Sequence, residues 1–191
     1  MANEYPLEEL RKLIHYEPDT GKLYWKHRDV SMFSHTQMPF HHYYLWNKKY
    51  ANKEIGTVGD SGYIRIGLLG RKYQAHRVMW ALHYGEWPKD QIDHINGVKL
   101  DNRIVNLRVV TNSENSKNTP MRSNNKSGVN GVYRSKNGKK WISEIKVNRK
   151  KIHFGTFENF EDAVAVRKAA EIQYGFHENH GRPLTTTTNQ V

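Results

Sequence analysis

Cysteine is absent from the 191 residues. That excludes a disulfide scaffold, a thiolate nucleophile, a cysteine-built zinc site and an iron–sulfur cluster. It suits a reducing compartment, so a cytoplasmic location is expected. No stretch approaches the ~18 consecutive apolar residues of a membrane span, so no membrane partner is expected. The start, MANEYPLEELRK, lacks the apolar run of a signal peptide. Acidic residues are scarce: 19 Asp and Glu stand against 30 Lys and Arg, a net charge of +11. The pI is 9.7 and the mean hydropathy −0.86. Aromatics at 12% are too many for a disordered chain. The balance favours a polyanionic partner.

The charge is uneven. Residues 1–115 hold 16 basic and 13 acidic residues, whereas residues 116–191 hold 14 and 6. Between Lys117 and Lys151 there are 11 basic residues and one acid, Glu144. Solubility needs no such segment, so nucleic-acid contact is the expectation. A membrane-surface role would call for a basic amphipathic helix, and this stretch reads as turns and short strands.

Leu7, Leu10 and Ile14 predict a helix over residues 6–15. Pro18-Asp19-Thr20-Gly21 is a turn before a strand at Leu23–Trp25. Residues 28–53, rich in aromatics and histidine, read as either a packed insertion or a loop. A hairpin pairs Tyr63–Ile66 with Lys72–Gln74, and a helix from Ala75 to Tyr84 ends at Gly85. Strands follow at Gln91–Ile95 and Leu107–Val110, with Asn96-Gly97 a turn between them. Thr111 to Glu114 is a capping box opening a helix. The polar run 116–128 reads as a linker. Three short strands come next, Val129–Arg134, Lys140–Val147 and Lys150–Gly155, with Asn137-Gly138 a hairpin turn. A last helix, from about Glu161 to Tyr174, is capped by Asn159 and closed by Gly175. Its apolar face is Ala163, Val166, Ala169 or Ala170, and Gln173 or Tyr174.

Chemistry concentrates in residues 91–118. Asp93 and His94 are neighbours on a strand, so their side chains point to opposite faces. A strand packed on a helix could bring Asp93 and Asn115 to one point, and both offer hard oxygen atoms suited to Mg²⁺ or Mn²⁺. A neutral His94 beside them could take a proton from water. The bland alternative is a turn feature at a strand end and a solvated Asn. His76 and His83, seven apart on one helix face with Trp80, read as packing rather than a second metal site. Arg77, Arg103 and Arg108 are phosphate contacts or ion-pair partners. His177 and His180 read as solvated.

The segment IDHINGVKLDNRIVNLRVVTNSENSKN resembles the HNH endonuclease signature in the form of phage homing endonucleases. The preceding AHRVMWALHYGEWP, the hairpin GYIRIGLLGRKYQAHR and the early PDTGKLYW resemble the same group. The resemblance implies a ββα-metal fold. It implies His94 as general base, Asp93 and Asn115 as ligands of Mg²⁺ or Mn²⁺, and Asn106 as the residue that orients His94 through its loop. Many members have His where this chain has Asn115.

Residues 128–176 resemble the AP2 DNA-binding domain, through Gly131–Arg134, Trp141 with Glu144-Ile145, and Phe154–Phe157 followed by an Ala-rich helix. Along the middle strand Trp141, Ser143, Ile145 and Val147 face one way, and Ile142, Glu144, Lys146 and Asn148 the other, so one face can enter a DNA groove. The resemblance implies DNA contacts from Arg134, Trp141, Glu144, Lys146, Arg149, Lys151 and His153. Tyr133 and His153 depart from the residues common in plant members, so the target sequence does not transfer.

The expected fold class is α+β, a ββα-metal nuclease unit followed by a three-stranded antiparallel sheet with a helix. The expected domains are an N-terminal region at 1–60, the nuclease at 61–119, a basic linker at 120–128, the AP2-like module at 129–180 and a flexible tail at 181–191. The expected function is metal-dependent hydrolysis of phosphodiester bonds in double-stranded DNA by a free-standing phage homing-type enzyme, a nickase or a double-strand cutter, acting in the host cytoplasm, with oligomeric state unread. The rivals are a non-cleaving DNA-binding regulator and an RNA-binding protein.

Overall fold

Helical spacing carries the first helix only as far as Leu13. A computed structural model describes residues 4–68 and 70–183; most of the expected tail, from Leu184 on, lies outside the described residues. In it α1 spans Leu7–Leu13, and Ile14 already has extended dihedrals, φ −130° and ψ 140°. Ile14 therefore reaches the core from a strand, β1 (Ile14–Glu17), not from the expected helix. The reason is pairing: β1 lies antiparallel to β2 (Lys22–Trp25), with Ile14 opposite Trp25. Gly21 closes the turn at φ +70°, a conformation that favours glycine.

The chain divides into two compact units, Met1–Val109 and Val110–Val191. In the first, residues 28–53 fold as a 3-10 turn at Val30–Phe33 and a helix, α2 (Pro39–Tyr50). Asp29 caps the turn by accepting from the Ser31 N–H at 2.8 Å. Asn47 on α2 clamps the Arg28 backbone, accepting at 2.9 Å and donating at 3.0 Å. A three-stranded antiparallel sheet follows, β3 (Thr57–Val58), β4 (Ile64–Leu68) and β5 (Arg71–Gln74), then α3 (Ala75–Tyr84). Leu10, Ile14, Leu23, Ile66, Leu68, Val78 and Met79 form the core, so α1, the β1–β2 hairpin, β4 and α3 are one packed layer set. A separate pair, β6 (Gln91–His94) and β7 (Leu107–Val110), carries the candidate chemistry.

In the second unit, α4 (Asn112–Ser116) opens on the expected capping box of Thr111 and Glu114. Segment 117–121 is tied to 177–182: Lys117 O accepts from His177 N, Thr119 O from Gly181 N, and Arg182 O from Met121 N. Strands β8 (Val132–Arg134), β9 (Trp141–Val147) and β10 (Lys150–Phe157) form an antiparallel sheet in the order β10-β9-β8. The β9–β10 turn holds Asn148 and Arg149 at positive φ, 48° and 65°, as a tight hairpin turn requires.

Helix α5 spans Phe160–Gln173 and packs on this sheet. Asn159 stands at its N-cap position, but its amide bonds the Asp162 carboxylate instead of capping a backbone N–H. The buried stripe is Ala163, Arg167, Ala170 and Glu171; it takes in the expected Ala163 and Ala170 and adds two charged residues, while Val166 is half-buried and Ala169 and Gln173 are exposed. Arg167 is tolerated inside because it donates to Asn130 O at 2.7 Å and pairs with Glu171 at 3.3 Å. His180 is buried against Phe176 and within 3.5 Å of Arg167, which corrects the solvated reading. His177 is half-buried.

The architecture is α+β with small antiparallel sheets. Among the described residues no helix is long and apolar enough to cross a membrane.

Candidate active site

Adjacent residues of a strand point to opposite faces, and β6 separates Asp93 from His94 in this way. On one face, Asp93 accepts two hydrogen bonds at Oδ2 from Arg108 on the partner strand β7, at 3.0 Å from Nε and 2.8 Å from Nη2. On the other, the His94 ring lies almost fully buried, with Nε2 2.9 Å from Oδ1 of Asn102. Burial pushes the His94 pKa below the ordinary imidazole value, against the opposing pull of Asn102 and Asp93. The ring packs edge-on against His76, with centroids 5.3 Å apart, and beside Tyr63 at 5.7 Å. His76 is itself buried, which lowers its pKa to about 3, helped by its neighbours His94 and Arg77. It is a neutral packing partner, as expected; His83, seven residues on, is exposed.

Asn102 owes its position to the loop between the strands. Asn106 staples that loop: its Oδ1 accepts from Asn96 N at 2.9 Å and its Nδ2 donates to Asp101 O at 2.7 Å. Its own carbonyl accepts from Ile95 N. Asp101 receives three bonds from Arg103, two from the guanidinium and one from the backbone N–H, and one from Asn96. The Arg103 bonds lead in holding its carboxyl at about 2. The β1–β2 hairpin supports the same loop from outside. Tyr16 donates to Asn102 O at 2.9 Å, and Ile104 N to Pro18 O at 3.1 Å. Gly21 lies so close that a Cβ there would stand 2.5 Å from Asn102 C and Arg103 N.

The remaining residues divide by element. Asn115 sits on α4 in the second unit, with its N–H bonded to Thr111 O. Arg77, Arg103 and Arg108 have the ion-pair partners Glu4, Asp101 and Asp93. Among the described residues no group of three or more His, Cys, Asp or Glu could hold a metal. The donor chemistry still fits a hard dication. Asp93 offers carboxylate oxygen, and Mg²⁺ sites are commonly completed by water and substrate phosphate. Arg108 on Asp93 neutralises a carboxylate that a cation would otherwise balance.

In the second unit the expected DNA contacts fall into three groups. Residues paired across strands share a face. Glu144 is opposite His153, and Lys146 opposite Lys151, so these four lie together. Glu144 accepts from Tyr133 at 3.0 Å and from Lys151 at 2.9 Å. Burial raises its pKa, but these bonds outweigh that and hold it below the usual range. Arg134 and Trp141 pair with each other on the opposite face, with the guanidinium 4.0 Å from the indole ring and the indole packed on Phe160 of α5. Arg149 occupies the turn.

The sequence reading passed over three members of the His94 neighbourhood. Asn102 and Lys99 lie in what reads as turn, and Tyr63 in a hairpin. The one available signal was the polar triplet Asp101-Asn102-Arg103 close to the His94 strand. Lys99 stands 4.8 Å over the Tyr63 ring and donates to Ser61 O.

Residues 73–117 match the model of a family described as HNH endonuclease. The chain is also similar to Protein 3.8 of Escherichia phage T7, 34% identical over 80 residues. That alignment covers 41% of this chain and 66% of the phage protein, just under two thirds of its length. No solved structure matches. The match spans β6, β7 and α4, and so takes in Asp93, His94, Asn102, Asn106 and Asn115. Residues 73–117, the segment that carries β6, β7 and α4, are thus similar to the HNH endonuclease family.

Proposed function

We propose that this chain is a phage DNA endonuclease that hydrolyses phosphodiester bonds with a divalent cation, Mg²⁺ or Mn²⁺. The observation that carries the reading is the buried His94–Asn102 hydrogen bond, next to the Asp93 carboxylate, within the family-matched segment. A neutral imidazole that donates from Nε2 has its lone pair on Nδ1. His94 then takes a proton from water at Nδ1 as the water oxygen bonds to phosphorus and the bond to the leaving sugar oxygen breaks. Asn102 fixes the tautomer, and Asn106 holds the loop that presents Asn102. Asp93 and Asn115 would hold the cation, which when bound stabilises charge on the scissile phosphate and leaving oxygen.

The second unit is proposed as the DNA-binding module, AP2-like over residues 129–180 and joined through 120–128 to a nuclease domain at 61–119. Lys146, Lys151, His153 and the turn residue Arg149 would meet phosphate, while Glu144 could accept from a cytosine amino group. Arg134 and Trp141, on the other face, would contribute at the sheet margin. Each visit would cut one strand, because one His94 serves one phosphate. The test is His94→Ala, with loss of cleavage and retention of DNA binding.

A further inference from the structure

We propose that the outer face of α2 is a second duplex-DNA contact, in which Phe40 and Tyr44 meet the base stack or groove wall and Lys48 meets phosphate. This rests on the DNA-nuclease reading and extends it to a segment outside the family-matched residues. The inner side of α2 is firmly seated. Trp46 packs on Trp25, Tyr43 on His27 and Phe33, and the Arg28 guanidinium lies 3.8 Å from the Trp46 ring. The opposite side carries Phe40, His41, Tyr44, Leu45 and Lys48, which recur at i, i+1, i+4, i+5 and i+8 and so form one stripe. That stripe inverts the usual pattern of a surface helix. Phe40 is 76% exposed, Tyr44 58% and Leu45 47%, with Met38 at 56% just before the helix. No residue of this 12-residue helix is buried.

Charge selects the occupant. From Val30 to Lys53 there is no acidic residue, whereas Lys48, Lys49 and Lys53 stand with His35, His41 and His42. Lys48 Nζ lies 5.7 Å from the Tyr44 ring centroid, so cation and ring form one surface. Lysine is depleted at protein–protein interfaces. DNA satisfies both components at once. Phosphates take the ammonium groups, and exposed Phe, Leu or Met side chains act as wedges or stacking platforms at base steps.

The test uses the full chain and a mixed-sequence duplex oligonucleotide, with binding followed by fluorescence anisotropy across a salt series. The double variant Phe40→Ala/Tyr44→Ala should bind about 10-fold or more weakly, with the salt slope unchanged. Lys48→Gln should make the slope shallower by about 0.9, the value of one phosphate contact. These side chains are exposed, so circular dichroism should match the parent. Parental affinity and slope in both variants would overturn the inference while leaving the nuclease reading intact, provided the parent cleaves and His94→Ala does not. Parental binding by the aromatic variant together with loss of a dimer in sedimentation velocity would also overturn it, assigning the face to a second copy of the chain. A parent that neither binds nor cleaves DNA would overturn both readings.

Discussion

His94 Nε2 and Asn102 Oδ1 stand 2.9 Å apart in a site where both residues are almost fully buried. The other end of the same amide, Nδ2, is buried with no hydrogen-bond partner among the described residues. A buried unsatisfied donor costs about 1–3 kcal/mol. The acceptor end of the amide is thus committed to His94, which is the pairing the proposed mechanism uses.

Replacing Asn102 should therefore separate activity from binding. Asn102→Leu is expected to lower the cleavage rate by about 10–100-fold, the usual effect of losing a partner that orients an imidazole, with DNA affinity unchanged. Asn102→Asp keeps an acceptor and should retain more activity than Leu. Nitrogen-15 shifts of the His94 ring should report a single Nε2–H tautomer in the parent and a mixture in Asn102→Leu. A single tautomer in both would refute the positioning role.

Acid should destabilise both units through buried neutral histidines. His76 is lowered from 6.5 to about 3, and His180 from 6.5 to about 4, in each case chiefly by burial. The unfolded chain binds these protons from pH 6.5 downward and the folded chain does not. Stability is thus complete above pH 6.5 and is lost as pH falls toward 4, at up to about 1.4 kcal/mol per pH unit for each group. Urea midpoints at pH 7 and pH 4.5 check this. His180→Gln should reduce the difference between them, and an unchanged difference would contradict the assignment.

Phosphate contacts from the exposed sheet face predict a salt signature. Lys146→Gln/Lys151→Gln should make the dependence of log affinity on log salt shallower by about 1.8. Arg134→Gln, on the opposite face, should change the slope less. Equal effects from both faces would argue against groove entry by the Glu144–Lys146–Lys151–His153 face.

Much of the fold was legible because local chemistry agreed with it. The Thr111–Glu114 capping box, the closing Gly85 and the alternation along Trp141–Val147 all act over a few residues. What stayed hidden depends on distant partners. Ile14 fits a helical stripe and is drawn into a strand by Trp25. Arg167 and Glu171 occupy buried positions of α5 because their charges lie 3.3 Å apart, Asn130 O receives the guanidinium, and Glu171 accepts from Lys168. The aromatic and histidine run at 28–53 gave no clean period, since α2 packs by aromatic edges and a cation on one side and turns apolar residues outward on the other. Asp93, His94 and Asn115 are candidates from residue type and position on a strand and a helix, and Asn106 only through the resemblance to HNH endonucleases. The place of Asn102 beside His94 is not legible in this way, because it follows from a loop folded back by Asn106 and supported by Tyr16, 86 residues away in sequence.

The most direct test of the nuclease reading is conversion of supercoiled plasmid by the purified full chain in Mg²⁺, Mn²⁺ or EDTA, with His94→Ala alongside. Plasmids bearing phage genomic fragments guard against a selective enzyme ignoring a random target. The account predicts nicked product in Mg²⁺ or Mn²⁺, none in EDTA, and none from His94→Ala despite an undiminished gel shift. A clear gel shift with no cleavage in either metal would contradict it and identify the chain as a non-cleaving DNA-binding protein.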